Sequence, residues 1–200
     1  MTSGPVRLLG YAIRYAAESV DAVVPGSESL PTPCEGWDLR TLLSHLNDSV
    51  DELRRAVASE PGDRDPAGAP VARPASTFRS QARLLLQSCA ETGGAGRRIA
   101  VGDQSLAIGW VVVTAAGEIA VHGWDVSVAC GVPRSIPDPL ALGLLSLLQL
   151  VVTDATRPPL FGPEIPVSPL ASPSDQLVAF LGRRPVPVSS GRVNGGAAFP

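Results

Sequence analysis

The chain contains no lysine: all 16 of its Lys-plus-Arg positions are arginine. That absence removes Schiff-base catalysis by a lysine and the phosphate-binding lysine of a P-loop. Aromatic residues are scarce, at 4% of 200 residues, so a core has to be assembled from Leu, Val and Ala. Cysteine is nearly absent too. Cys34, Cys89 and Cys130 stand far apart with no C-x-x-C pair, an odd count that makes neither a disulfide framework nor a zinc ribbon. The longest apolar stretch, Leu140 to Val152, is interrupted by Gly143, Ser146 and Gln149 and is too short to span a bilayer. Met1 to Arg7 lack a basic segment followed by an unbroken apolar one, so no secretory leader is expected. Excess positive charge is missing as well. With a net charge of −3 and a pI near 5.4, there is no basic stripe for nucleic acid. These exclusions lead to the expectation of a cytoplasmic protein that engages a small molecule, with no nucleic acid and no membrane as partner.

What is present suits one domain: 44% hydrophobic residues and a mean hydropathy of +0.18. Apolar residues recur at helical spacing from Val6 to Val24, and Pro25-Gly26 ends that run. Leu30 to Trp37 is a rigid, turn-rich connector. A second helix opens near Asp38, a suitable N-cap, and runs to about Ser59 with Leu39, Leu42, Leu43, Leu46, Val50, Leu53 and Val57 on one broad face. Glu60 to Pro74 lacks periodicity and reads as a solvated loop, followed by a helix over Ala75 to Thr92 that Gly93-Gly94-Ala95-Gly96 breaks. Arg97 to Val101 suits a short extended piece, and Ser105 to Cys130 a long apolar helix stopped by Gly131-Val132-Pro133. A fifth helix is predicted over Pro139 to Thr153 and a short one over Ser174 to Leu181, separated by a Pro-dense stretch from Arg157 to Pro173. Nothing repeats internally. The expected architecture is an all-α bundle, with residues 1–185 as the domain and 186–200 as a flexible tail.

The two histidines both fall inside predicted helices. His45 shares a face with Leu42, Leu46 and Ser49, which places it near the bundle interior. His122 follows Glu118 by four residues, one turn along the same helical face. A carboxylate and an imidazole at that spacing can grip one ion from one side, and a ligand from a facing helix would complete a three-ligand site with an open position. A Glu–His pair at this spacing is also common on ordinary helices, and a lone histidine on a semi-apolar face is usually a core residue. Spacing alone leaves both readings open.

Two segments carry a resemblance. Thr32-Pro33-Cys34-Glu35-Gly36-Trp37-Asp38 followed by Leu42-Leu43-Ser44-His45-Leu46 resembles the T-P-C-x-G-W … L-x-x-H-L segment of the mycothiol-dependent maleylpyruvate isomerase N-terminal domain, within the DinB/YfiT-like superfamily. Glu118-x-x-x-His122-Gly123-Trp124-Asp125, with Ala129-Cys130-Gly131 after it, looks like that family's second signature. Phe161 to Val167 and Leu181 to Pro185 are similar to a branch of small, single-domain actinobacterial relatives. The resemblance implies a DinB-like four-helix bundle, here with a short Pro-rich C-terminal extension. It further implies a divalent metal, commonly zinc, held by His45, Glu118 and His122, and mycothiol as a cosubstrate. The isomerase has a further C-terminal domain that contributes to its active site, so its fold and metal transfer to this chain and its substrate does not.

The expected function is a metal-dependent isomerase or thiol transferase acting on a small electrophile. The alternatives are a thiol-independent, metal-assisted hydrolysis, dehydration or cyclisation, and a non-catalytic metal-stabilised module. A structural zinc usually has four protein ligands, and three are found here. Asp125, three residues after His122, and Asp48, three after His45, are the candidates to orient an imidazole or act as a base. Each is equally at home on a wet helix face. Trp37 and Trp124 read as packing residues, and Cys34 and Cys130 as small buried ones. Tyr11, Arg14 and Tyr15 are placed to line a pocket mouth, and Arg97-Arg98 and Arg183-Arg184 to meet an anionic substrate. The bundle faces also allow two copies to pair as a homodimer.

Overall fold

A computed structural model describes residues 4–58, 74–91, 98–101, 104–158 and 160–187. Its elements in chain order are α1 (Gly4–Val20), α2 (Leu39–Ala58), α3 (Pro74–Glu91), β1 (Arg98–Val101), β2 (Gln104–Ala107), α4 (Ile108–Ala129), α5 (Asp138–Leu148) and α6 (Pro173–Phe180). Helices α1 to α4 form a four-helix bundle ordered α1, α4, α2, α3 around its axis, with α5 laid on α1 and α4 and α6 on α5. The loop expected over Glu60 to Pro74 and the glycine run Gly93 to Gly96 lie outside the described residues, except Pro74, which opens α3. So does most of the tail expected from 186; Val186 itself packs against the core.

The apolar residues of α2 predicted to share a face are buried together, and Leu9, Ala12, Ile13, Ala16 and Val20 supply the matching stripe of α1. Asp38 caps α2 as expected: its Oδ1 accepts from the Thr41 backbone N–H at 2.8 Å and the Thr41 hydroxyl at 2.7 Å. Helix α4 is enclosed by its neighbours. From Ala116 to Ser127 every residue is buried, Trp124 being the largest, and burying a side chain of that size contributes on the order of 1.5–3 kcal/mol or more. It is long and apolar enough to cross a membrane by length and composition, yet most of it faces protein. Gly123 lets α1 approach closely, since a Cβ there would meet the Ala16 Cα at 2.8 Å.

Helix α4 begins at Ile108, later than the expected Ser105. Residues 104–107 form β2, paired antiparallel with β1 so that Arg98 faces Ala107 and Val101 faces Gln104. The intervening Gly102-Asp103 is a pair typical of two-residue hairpin loops, a signal outweighed by the long apolar run that follows it. Helix α5 also stops at Leu148, short of the expected Thr153. At the other end of α4, Gly131 adopts a left-handed φ of 71° while Val132 N–H donates to the Ser127 carbonyl at 3.0 Å, the predicted glycine stop.

The Pro-dense stretch is anchored by arginine. Buried Arg157 donates through Nη1 to the carbonyls of Phe180 and Gly162 and lies over the Phe180 ring. Beyond α6 the chain turns at Gly182, whose φ is +85° and whose Cα lies so close to Gly162 that a Cβ would fall 2.7 Å from the Gly162 Cα. Only glycine satisfies both conditions. The turn directs Arg183 back into the bundle.

Candidate metal centre

His45 projects from α2, and Glu118 and His122 project from successive turns of α4. One donor atom from each lies within 4.8 Å of the other two. His45 Nε2 and Glu118 Oε1 are 2.9 Å apart, and Ser49, one turn beyond His45, donates its hydroxyl to the same Oε1 at 3.2 Å. Side-chain exposure falls from 33% at His45 to 12% at Glu118 and 4% at His122, so the group opens on the α2 side and is closed on the α4 side. Burial alone would raise the Glu118 carboxyl. The His45 hydrogen bond, with His122 nearby, outweighs it and holds the group below the usual carboxylate range.

Asp125 lies where a second carboxylate was expected. Its Oδ2 is 3.1 Å from His122 Nδ1, which leaves Nε2 as the nitrogen free to ligate an ion. Asp125 is fully buried, and desolvation opposes its charge. Hydrogen bonding to His122 and the Arg183 guanidinium prevail and keep its carboxyl below the ordinary value. The structure does not bring Asp48 to His45. It is exposed on α2, whereas Ser49, four residues after His45, is the neighbour that the packing of α2 turns toward the site.

Two further side chains that no local sequence pattern marks join the site. Cys34, read as a small packing residue, places Sγ 3.2 Å from Asp125 Oδ2 and 3.8 Å from His122 Nδ1. Arg183, expected to meet an anionic substrate, donates from Nη2 to Asp125 Oδ2 at 3.0 Å and to Cys34 Sγ at 3.1 Å. The turn Thr32 to Trp37 delivers Cys34: the Thr32 hydroxyl donates to the Trp37 carbonyl at 2.9 Å and accepts from the Cys34 N–H at 3.2 Å. The same turn sets the Trp37 ring 4.8 Å from the His45 ring, edge-on, and 6.2 Å from that of His122, stacked. Trp37 therefore walls the site, whereas Trp124 is core. Of the residues expected at a pocket mouth, Tyr15 is buried and donates to the Arg134 carbonyl. Tyr11 lines a separate pocket of about 740 Å³ between α1, α4 and α5, with Trp110 and without any of the three donors.

The donor set suits a divalent ion. Two imidazoles and a carboxylate are the three protein ligands of many open zinc sites. Ligands at 2.0–2.2 Å in tetrahedral array stand about 3.4 Å apart, and the separations here, from 2.9 Å to under 4.8 Å, bracket that value. A second group, Cys34, His122 and Asp125, meets the same distance limit but already holds the Arg183 guanidinium against two of its members.

The profile of the Mycothiol maleylpyruvate isomerase N-terminal domain family matches residues 9–127, which contain every donor of both groups. Two proteins of Mycobacterium tuberculosis, Uncharacterized protein MT0763 of strain CDC 1551 / Oshkosh and Uncharacterized protein Rv0738 of strain ATCC 25618 / H37Rv, are each 30% identical over 160 residues. Each alignment covers 76% of this chain and 83% of the relative. No solved structure matches the chain significantly. With the Thr32–Leu46 and Glu118–Asp125 segments inside one profile match and the bundle they belong to formed as expected, the chain belongs to the mycothiol maleylpyruvate isomerase N-terminal domain family.

Proposed function

We propose that the protein is a divalent-metal-dependent enzyme, with zinc the metal and a low-molecular-weight thiol such as mycothiol the cosubstrate, adding the thiol to a small electrophile for isomerisation or transfer. The observation that carries this reading is the convergence of His45, Glu118 and His122 from two helices at a face that stays partly open. A divalent ion bound there supplies the charge that keeps a coordinated thiol deprotonated near neutral pH or polarises a carbonyl.

The chain's own side chains prepare for this. Asp125 keeps the His122 proton on Nδ1 and turns the other nitrogen toward the site. Ser49 fixes one oxygen of Glu118, so the carboxylate meets an ion in one orientation. Trp37 closes one flank with an apolar face and limits water there. The three unpaired cysteines fit a reducing cytoplasm.

Elemental analysis of the purified protein beside His122→Ala tests the reading. About one divalent ion per chain, lost in the variant, is the expected result, followed by thiol-dependent turnover in a screen of electrophiles. Absence of metal from the wild type even after reconstitution sinks it. Metal-dependent turnover that ignores thiol would move the assignment to a thiol-independent hydrolysis, dehydration or cyclisation.

A further inference from the structure

The group formed by Cys34, His122 and Asp125 has donor atoms within 4.8 Å of one another, like the first, and is buried more deeply. The difference lies in the cation it already contains. Arg183 Nε stands 3.3 Å from both Asp125 oxygens, while Nη2 reaches Asp125 Oδ2 and Cys34 Sγ. A guanidinium fixed against two of three donors takes the place and supplies the charge that a metal ion would bring. Its position is built in. Nη1 donates to the Leu181 carbonyl at 3.1 Å, the Arg183 N–H donates to the Val178 carbonyl at 2.8 Å, and the Gly182 turn aims the side chain inward. His122 belongs to both groups, so an ion in one competes for, or shares, the imidazole of the other.

We propose that Arg183 is the resident cation of the Cys34–His122–Asp125 group and thereby confines a divalent ion to His45, Glu118 and His122. It is a specificity-determining residue for the position of the metal, contributed from beyond the 9–127 family match. The proposal rests on the reading above only for the first of the two sites. Without the guanidinium, a buried carboxylate, an imidazole and a thiol remain, a mixed oxygen, nitrogen and sulfur set suited to zinc or cobalt. Binding there forms a metal–sulfur bond and releases the Cys34 thiol proton to solvent.

Cobalt titration of the full chain, followed by absorption, tests this. Wild type and Arg183→Lys are expected to take up cobalt with no thiolate-to-cobalt charge-transfer band. Arg183→Met is expected to gain the band, and Arg183→Met combined with Cys34→Ser to lose it again. Arg183→Gln, which keeps a hydrogen-bond donor for Asp125 but no charge, carries the same expectation should the methionine variant fail to fold. A sulfur band in the wild type overturns the proposal, as does its absence from a folded, uncharged variant. Cobalt uptake by the wild type with no band in any variant sinks this inference and leaves the first site standing. A wild type that binds no cobalt beside an Arg183→Met variant that shows the band does the reverse.

Discussion

Cys34 touches a carboxylate on one side and a guanidinium on the other, and the balance of the two decides its chemistry. Burial raises the thiol most, Asp125 adds to it and Arg183 offsets part, leaving it pushed up to about 12. Folded protein at pH 8 is therefore expected to leave Cys34 unalkylated by iodoacetamide, with modification on unfolding. Rapid labelling of Cys34 in the native state, read by peptide mass spectrometry, would refute this. Asp38 shows the opposite shift: its hydrogen bonds from Thr41 hold its carboxyl below the ordinary value. A carboxylate depressed on folding stabilises above its unfolded pKa of about 3.9 and stops doing so as pH falls through the folded value. Asp38→Ala should thus melt below the wild type at pH 7, with the gap closing on acidification below about pH 4. A gap independent of pH would count against the cap. At this scale the grouping of His45, Glu118 and His122 follows from the family resemblance, whose motifs contain all three, while their spacing alone leaves a core role equally open. Arg183 could not be read in this way, since its role depends on a partner 58 residues away, and nothing near it in sequence marks the contact.

Among the elements, helices α1 to α3 and the stop of α4 were legible because periodicity, caps and glycine agree within a few residues of one another. Of the hairpin, β1 matches the extended piece expected over Arg97 to Val101, whereas β2 was not legible, because a four-residue strand carries too little pattern to compete with the 22-residue apolar helix that follows it. Asp48 and Asp125 show the same limit. Both follow a histidine by three residues, and only the packing of each helix decides which one turns inward. The end of α6 offers a direct test of backbone geometry. Gly131 and Gly182 share a left-handed φ, but a Cβ at Gly131 meets open space while one at Gly182 strikes the Gly162 backbone. Gly131→Ala should cost about 1–2 kcal/mol and Gly182→Ala roughly twice that or more, from strain plus overpacking. Equal losses in chemical denaturation would argue that the Gly162 contact yields easily.

For the molecule as a whole, the family signatures and the bundle they define were visible from the start, whereas the use made of the C-terminal extension was not. Composition marks residues 157–173 as Pro-dense without saying that two buried arginines tie the extension down: Arg157, at the start of that stretch, to the end of α6, and Arg183, just beyond α6, to Asp125 in the last turns of α4. Metal binding should act on the entire fold through linkage. Zinc at about 100 times its dissociation constant is expected to add about 2.7 kcal/mol, which raises the melting temperature of a chain this size by about 5–10 °C. His122→Ala should show no such rise, and an equal rise in the variant would place the bound zinc elsewhere.

The pairing of Asp125 with Arg183 also has a direction in time. Synthesis proceeds from the N-terminus at about 5–20 residues per second, so the 58 residues between them take about 3–12 s to make. During that interval the four helices of the bundle are complete while their central acid lacks its counter-charge. Docking of the turn after α6 is then the event that supplies the counter-charge, so the Asp125 site cannot close in its native form until Arg183 has been made.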